Sequence, residues 1–183
     1  MTFIRLDPDA LKNLARGDPE KGASGAEGTV DSVETRAAGI RDLDTVRSLQ
    51  EMLIHEINAS DQYFPQDEEA LFRVTEEEIR DPHVLVMLAI VGQAPVGYLE
   101  AYAALTSPPL VEKPYGHIRA VFVRPGYRQQ GIGSTLMSRA IPWFRRKQVE
   151  VVTQNVLGSL RTARRFAMSF GFDDYQIRMA KRL

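Results

Sequence analysis

The sequence predicts an α/β fold of the α+β kind, one mixed β-sheet with helices packed on it, and three observations carry this reading. The apolar period switches along the chain between about 3.6 and about 2, the marks of helix and strand. The run Val84–Val91 is apolar at every position, as a strand buried on both faces requires. The segments follow in the order β-α-α-β-β-β-α-β-α-β, which suits a single sheet covered by helices. With 183 residues, 44% of them hydrophobic, the chain is long enough for one sizeable core.

Residues 1–32 read as a flexible N-terminal extension and residues 33–183 as the folded domain. Asp7 and Pro8 suit a helix start, with Leu11 and Leu14 as one weak apolar face. Gly17 to Ser32 has almost nothing to bury and cannot recover its ordering entropy. Val33 to Ala37 is the first strand. Ile40, Leu43, Val46, Leu49, Leu53 and Ile57 recur at spacings of three and four, which predicts an amphipathic helix. A loop follows around residues 61–65. Asp67 to Arg80 reads as a second helix on the surface, because Leu71, Val74 and Ile79 are its sparse apolar positions.

The strand Val84–Val91 turns at Gly92-Gln93-Ala94-Pro95 into another strand, Val96 to Ala104, giving an antiparallel hairpin. Ser107-Pro108-Pro109 breaks the chain before a strand from Tyr115 to Val123. A helix is expected from about Gly131, with a kink or an end at Pro142, where a backbone donor is missing. A strand near Val149 to Gln154, a helix from Ser159 to Ser169 stopped by Gly171, and a last strand from Tyr175 to Ala180 complete the order.

Charge and composition exclude several functions. Lys and Arg number 23 against 24 Asp and Glu, a net charge of -1, which gives no reason to expect nucleic acid or an anionic membrane as partner. The chain has no cysteine, so disulfides, thiolate metal sites and a cysteine nucleophile are out. His55, His83 and His117 lack metal-ligand spacing, and no metal is expected. No apolar run approaches the ~18 residues of a membrane span, and the N-terminus lacks a secretory signal, so a cytoplasmic protein is the default. The balance is uneven along the chain. Residues 42–81 hold 12 acidic side chains against 3 arginines, and residues 139–183 hold 10 basic against 3 acidic. This suits either solvated helix faces or an acidic side for a cationic ligand and a basic side for an anionic one.

The segment richest in chemistry runs from His117 to Met137. A strand ends at Val123, Pro125 and Gly126 turn the chain, and Gly131 and Gly133 open a helix whose buried stripe is Ile132, Leu136, Ala140 and Phe144. Unpaired N–H groups and the helix dipole at such a start suit a phosphate or pyrophosphate. A Cβ at either glycine is expected to hold the ligand off the backbone. Arg128 adds formal positive charge. A P-loop needs a lysine after Gly133, and a dinucleotide fingerprint needs a third glycine at Leu136; neither is present.

Val123-Arg124-Pro125, Tyr127-Arg128 and Gly131-Ile132-Gly133 together resemble the acetyl-CoA-binding motif of the GNAT superfamily of N-acetyltransferases. The order of elements from Val33 to Leu183 is similar as well. The resemblance implies that the backbone of Val121 and Val123 pairs with the pantetheine arm of acetyl-CoA, while Arg128, Gln129, Gln130, Gly131, Ile132, Gly133 and Ser134 surround the pyrophosphate. It implies acetyl transfer to a primary amine of a small molecule or peptide, and it allows a homodimer, since many relatives dimerise. Two positions depart from the pattern. Leu160 stands where the family often has asparagine. Ala167 stands where it often has a tyrosine that protonates the leaving thiolate. Arg161, Arg164 and Arg165 are candidates for a CoA phosphate or for plain solvation.

The catalytic base has two candidates. His117 and Arg119 are expected to share a strand face with Val121 and Val123, since alternate residues point the same way. His117 also stands 14 residues before Gly131, the offset at which histone-type members carry a catalytic glutamate. Glu100 shares a face of the neighbouring strand with Tyr102, and a carboxylate in an apolar strand needs a partner or a role. Asp61, Tyr63 and Tyr102 are the candidate substrate contacts. Two other functions stay open: a degenerate relative that binds acyl-CoA as a sensor or interaction domain, and a nucleotide-binding module.

Overall fold

The computed structural model describes residues 33–61, 63, 74–106 and 113–181. The expected extension over residues 1–32, most of the helix expected from Asp67, and the break at Ser107-Pro108-Pro109 lie outside them. Strand β1 is Val33–Ala37. A 3-10 turn, Ile40–Asp42, leads into helix α1, Leu43–Ser60. Short helix α2 is Glu76–Arg80. Strands β2, β3 and β4 are Val84–Val91, Ala94–Leu105 and Pro114–Val123. Another 3-10 turn, Pro125–Tyr127, precedes α3, Ile132–Arg146. Strand β5, Val151–Gln154, and helix α4, Arg161–Ser169, follow.

The five strands lie in chain order, antiparallel from β1 to β4, with β5 parallel to β4. The mixed sheet and its covering helices bear out the expected fold class. Burial on both faces of β2 follows from its unbroken apolar run. Val86 and Leu88 join a core with Val46, Leu49, Tyr98, Ala120 and Phe122 under α1. Met87 and Ala89 join the larger core on the other face, with Leu136, Met137, Ala140 and Phe144 of α3 and Ala167, Phe170 and Phe172 around α4. No helix among the described residues is long and apolar enough to cross a membrane.

Three expectations are corrected. The helix expected to run continuously through residues 67–80 is broken at Thr75. That residue is extended (φ -97°, ψ 164°), and its hydroxyl accepts from the Glu78 N–H to cap α2. Val74 is fully buried in the core under α1 rather than lying on a surface helix, so a capping box outweighs the helical pattern before it. Second, of the kink or end expected at Pro142, the end does not occur, and α3 continues to Arg146. Third, residues 173–181 form no strand. Tyr175, Ile177 and Met179 do alternate, but they are 57%, 79% and 89% exposed. Alternation describes a face; a strand also needs a neighbouring edge to receive its hydrogen bonds.

Candidate active site

The site begins where β4 and β5 separate. They pair from Tyr115 opposite Val151 to Ile118 opposite Gln154. Strand β4 then continues to Val123, its residues bonded to β3 through Gly97, Tyr98, Leu99 and Glu100. On the side that β5 has left, residues 119–123 have no strand partner among the described residues. A row of backbone donors and acceptors is thereby open to a ligand.

A bulge sits at the start of this opening. Glu100 faces Ala120 and Ala101 faces Ile118, so Arg119 is the extra residue of β4. One extra residue reverses the side-chain alternation. Ile118 packs into the core under α3, and beyond the bulge Val121 and Val123 do so too. His117 and Arg119 meet Tyr102 on the other face. The expectation that they share a face with Val121 and Val123 is therefore overturned, because simple alternation holds only along an unbroken strand. Glu100 and Tyr102 do lie together, both against Arg119.

From Val123 the chain enters the glycine segment. The Arg128 Nε donates to the Val123 carbonyl at 2.8 Å, and its Nη1 donates to Glu56 of α1 at 3.0 Å. Arg128 is thus a strut between strand, turn and α1, and the Glu56 carboxylate offsets its charge. Gln130 Nε2 donates to the Gly126 carbonyl at 3.4 Å. Gln129 (φ 62°) and Gly131 (φ 77°) both adopt the left-handed conformation, alternating with Gln130. Successive turns of this kind form a concave array of N–H groups suited to an anion. Gly131 caps α3 with no side-chain hydrogen bond, and the first backbone bond to its carbonyl comes from Thr135. The N–H groups of Ile132, Gly133 and Ser134 have no acceptor within the helix.

The two glycines do different work. Space around a Cβ at Gly131 is open, and its positive φ is what selects glycine. A Cβ at Gly133 would lie 3.2 Å from the Phe166 ring, so that glycine admits α4 against α3. At Gly133 this packing is a reason for glycine that the sequence did not show. Of the arginines on α4, Arg164 is paired with Asp174. Ala167 is buried in the core, so this position presents a methyl group where the family often has a hydroxyl.

The second half of the site is a side-chain network. Glu100 is buried; its Oε2 accepts from Gln50 Nε2 at 2.9 Å and its Oε1 from Arg119. Gln50 Oε1 accepts from the Val74 N–H at 3.2 Å, and Arg119 also donates to Glu78 at 2.8 Å. Burial pushes the Glu100 carboxyl above the usual range against the pull of Arg119, and Glu78 pushes the same way as burial. His117 Nδ1 lies 2.7 Å from Thr153 Oγ1 of β5. Burial, helped by the Arg119 charge, lowers His117 to about 4, so its ring is neutral at pH 7. Tyr102 stacks beside His117 with ring centroids 5.3 Å apart, and burial raises its phenol to about 12. Asp61 and Tyr63 sit together in a turn closing α1, where Asp61 Oδ1 accepts from the Tyr63 N–H at 2.8 Å.

Helix α1 joins the halves through Gln50 and Glu56. Neither was among the sequence candidates, nor were Glu78 and Thr153. Gln50 had a visible signal: it occupies the buried stripe of α1, one residue after Leu49. Part of the acidic surplus over residues 42–81 is structural, since Asp42, Glu56, Glu76 and Glu78 each pair with an arginine.

This fold has known counterparts. Residues 52–172 match the model of the acetyltransferase (GNAT) family. The chain belongs to that family. A search of curated proteins finds no significant match. Among solved structures, a tetramutant of the BH1408 protein from Bacillus halodurans is 19% identical with a TM-score of 0.71, over 82% of this chain and 99% of that one. The aminoglycoside acetyltransferase AAC(6')-Iy, solved with a bisubstrate analogue built on CoA, is 16% identical with a TM-score of 0.66, over 83% and 98%. A GCN5-related N-acetyltransferase from Ralstonia eutropha is 20% identical with a TM-score of 0.64, over 83% and 99%. At these identities the likeness is one of fold, and it matches the architecture of this GNAT domain.

Proposed function

We propose that this GNAT domain transfers an acetyl group from acetyl-CoA to a primary amine of a small molecule or peptide. The observation that carries the reading is the continuity of two backbone features, the open edge of β4 over residues 119–123 and the uncapped first turn of α3. An open edge suits an extended arm bearing amides, and a helix start suits a pyrophosphate. The CoA tail carries those two groups in that order. Val121 and Val123 would hold the pantetheine arm. Gln129, Gln130, Gly131, Ile132, Gly133 and Ser134 would enclose the pyrophosphate, and Arg128 would keep that turn in shape.

Acetyl-CoA supplies an acetyl group activated as a thioester. The acceptor must attack as a neutral amine, and deprotonating a lysine-like amine at pH 7 costs roughly 4–5 kcal/mol. His117 is neutral at that pH, although its lowered pKa makes it a weak base; it accepts the amine proton as the carbon–nitrogen bond forms, the carbon–sulfur bond breaks, and the proton passes through water to the thiolate. Glu100 is less suited to the task, because its side chain is buried, only 1% exposed, and held between Gln50 and Arg119. An N–H of β4 near Val121 stabilises the oxygen that becomes negative. Tyr102 lines the acceptor side beside His117, and Asp61 and Tyr63 at the end of α1 meet the substrate.

Fold does not choose the amine. The aminoglycoside enzymes of similar fold place aminoglycosides in the first panel, beside polyamines, amino acids and peptides. Release of thiol from acetyl-CoA is the readout. Turnover with one amine class, lost in His117→Gln, supports the reading. One observation favours a binding-only alternative: buried Ala167 supplies no proton to a departing thiolate. Tight acetyl-CoA binding without thiol release for any amine would favour that alternative.

A further inference from the structure

We propose that Thr153 is a positioning residue that holds the His117 ring with its proton on Nδ1, leaving the Nε2 lone pair to take the proton of the acceptor amine. The proposal rests on His117 as the proton acceptor. Thr153 is buried and stands opposite His117 in the parallel pair, one rung before β4 and β5 part. Its Oγ1 makes two contacts: His117 Nδ1 at 2.7 Å and the Gly116 carbonyl at 3.3 Å. A hydroxyl has one proton to give. A carbonyl can only accept, so both contacts are hydrogen bonds at once only when the hydroxyl donates to Gly116. Its oxygen must then accept from His117, which requires the proton on Nδ1.

In a neutral imidazole the other nitrogen then carries the lone pair. The amine nitrogen bonds to the acetyl carbon, and the carbon–sulfur bond breaks with its electron pair going to sulfur. The amine proton passes to Nε2 and through water to the thiolate. Without the hydroxyl, Nδ1 loses its acceptor and the ring is free to adopt the other tautomer, in which Nε2 is already protonated and cannot act. The groups known to touch this ring, Tyr102 and Thr153, offer no carboxylate that would fix the tautomer instead.

The test compares Thr153→Val, which keeps the shape and removes the hydroxyl, with Thr153→Ser, which restores it. Ring nitrogen shifts of the whole chain report the tautomer, and the three histidines are separated by means of His117→Gln. The native protein and Thr153→Ser are expected to carry the Nδ1 proton. Thr153→Val is expected to lose that preference and about tenfold in kcat, with acetyl-CoA affinity unchanged. An Nε2 proton in the native protein, or a tautomer and kcat indifferent to Thr153→Val, would overturn the proposal. A Thr153-dependent tautomer with full turnover in His117→Gln would overturn the assignment of His117 as proton acceptor while leaving the lock itself in place.

Discussion

The two halves of the site are made of different material. The donor half is backbone: an open strand edge, two left-handed residues and an uncapped helix start. The acceptor half is side chain: Gln50, Glu78, Glu100, Arg119, His117 and Thr153, contributed by α1, α2, β3, β4 and β5. A backbone site tolerates changes in side chains but not in conformation or space. A side-chain site fails when one partner leaves another buried and unpaired. The halves should therefore respond differently to substitution.

The largest effect is expected at Gly131. A glutamate there adds a like charge and a side chain at the pyrophosphate position, in a conformation that favours glycine. Repulsion of several kcal/mol corresponds to a loss of acetyl-CoA affinity of about a thousandfold or more. Calorimetric titration of the folded variant measures it, and affinity within tenfold of native would break the donor half of the comparison.

His117→Gln comes next. Turnover should fall by about a hundredfold while acetyl-CoA affinity stays the same, as separate kcat and binding measurements would report. The same variant tests the lowered pKa. The folded protein keeps His117 neutral down to about pH 4, whereas the unfolded chain takes up a proton near 6.5. Native stability should thus decline as pH falls through this window, and the variant should lack that part of the decline. Glu100, raised by burial, acts with the opposite sign in both proteins and cancels in the comparison.

Glu100→Gln tests the network itself. It leaves Arg119 with Glu78 alone, and a loss of about 2–3 kcal/mol in stability is expected by denaturant unfolding. The smallest effect is expected from Arg128→Gln. Its ion pair with Glu56 is partly exposed and contributes about 0.5 kcal/mol, so acetyl-CoA affinity should change less than threefold. A tenfold loss would mean that a guanidinium charge, and not only backbone, holds the ligand.

The same contrast explains what was legible in the sequence. The shape of the donor half is written locally, because Pro125 at the start of the turn and Gly131 at the left-handed start of α3 stand within seven residues. The order of strands and helices was legible for the same reason, through periodicity. The acceptor half joins residues as far apart as Gln50 and Thr153, and a single sequence records no contact between them. The bulge at Arg119 was also silent. No glycine or proline marks it, yet it determines which face His117 and Arg119 occupy. At the C-terminus, the alternation of Tyr175, Ile177 and Met179 gave a period, but these side chains are exposed rather than packed on the sheet.

Thermal unfolding with acetyl-CoA, CoA and ATP titrated separately decides whether β4 and the start of α3 bind the CoA moiety. A ligand bound only by the folded state adds about 2.7 kcal/mol at 100 times its dissociation constant. The unfolding temperature is expected to rise with acetyl-CoA and with CoA, not with ATP, and not with any of them in Gly131→Glu. A rise with ATP alone, or none with acetyl-CoA at any concentration, would contradict that binding.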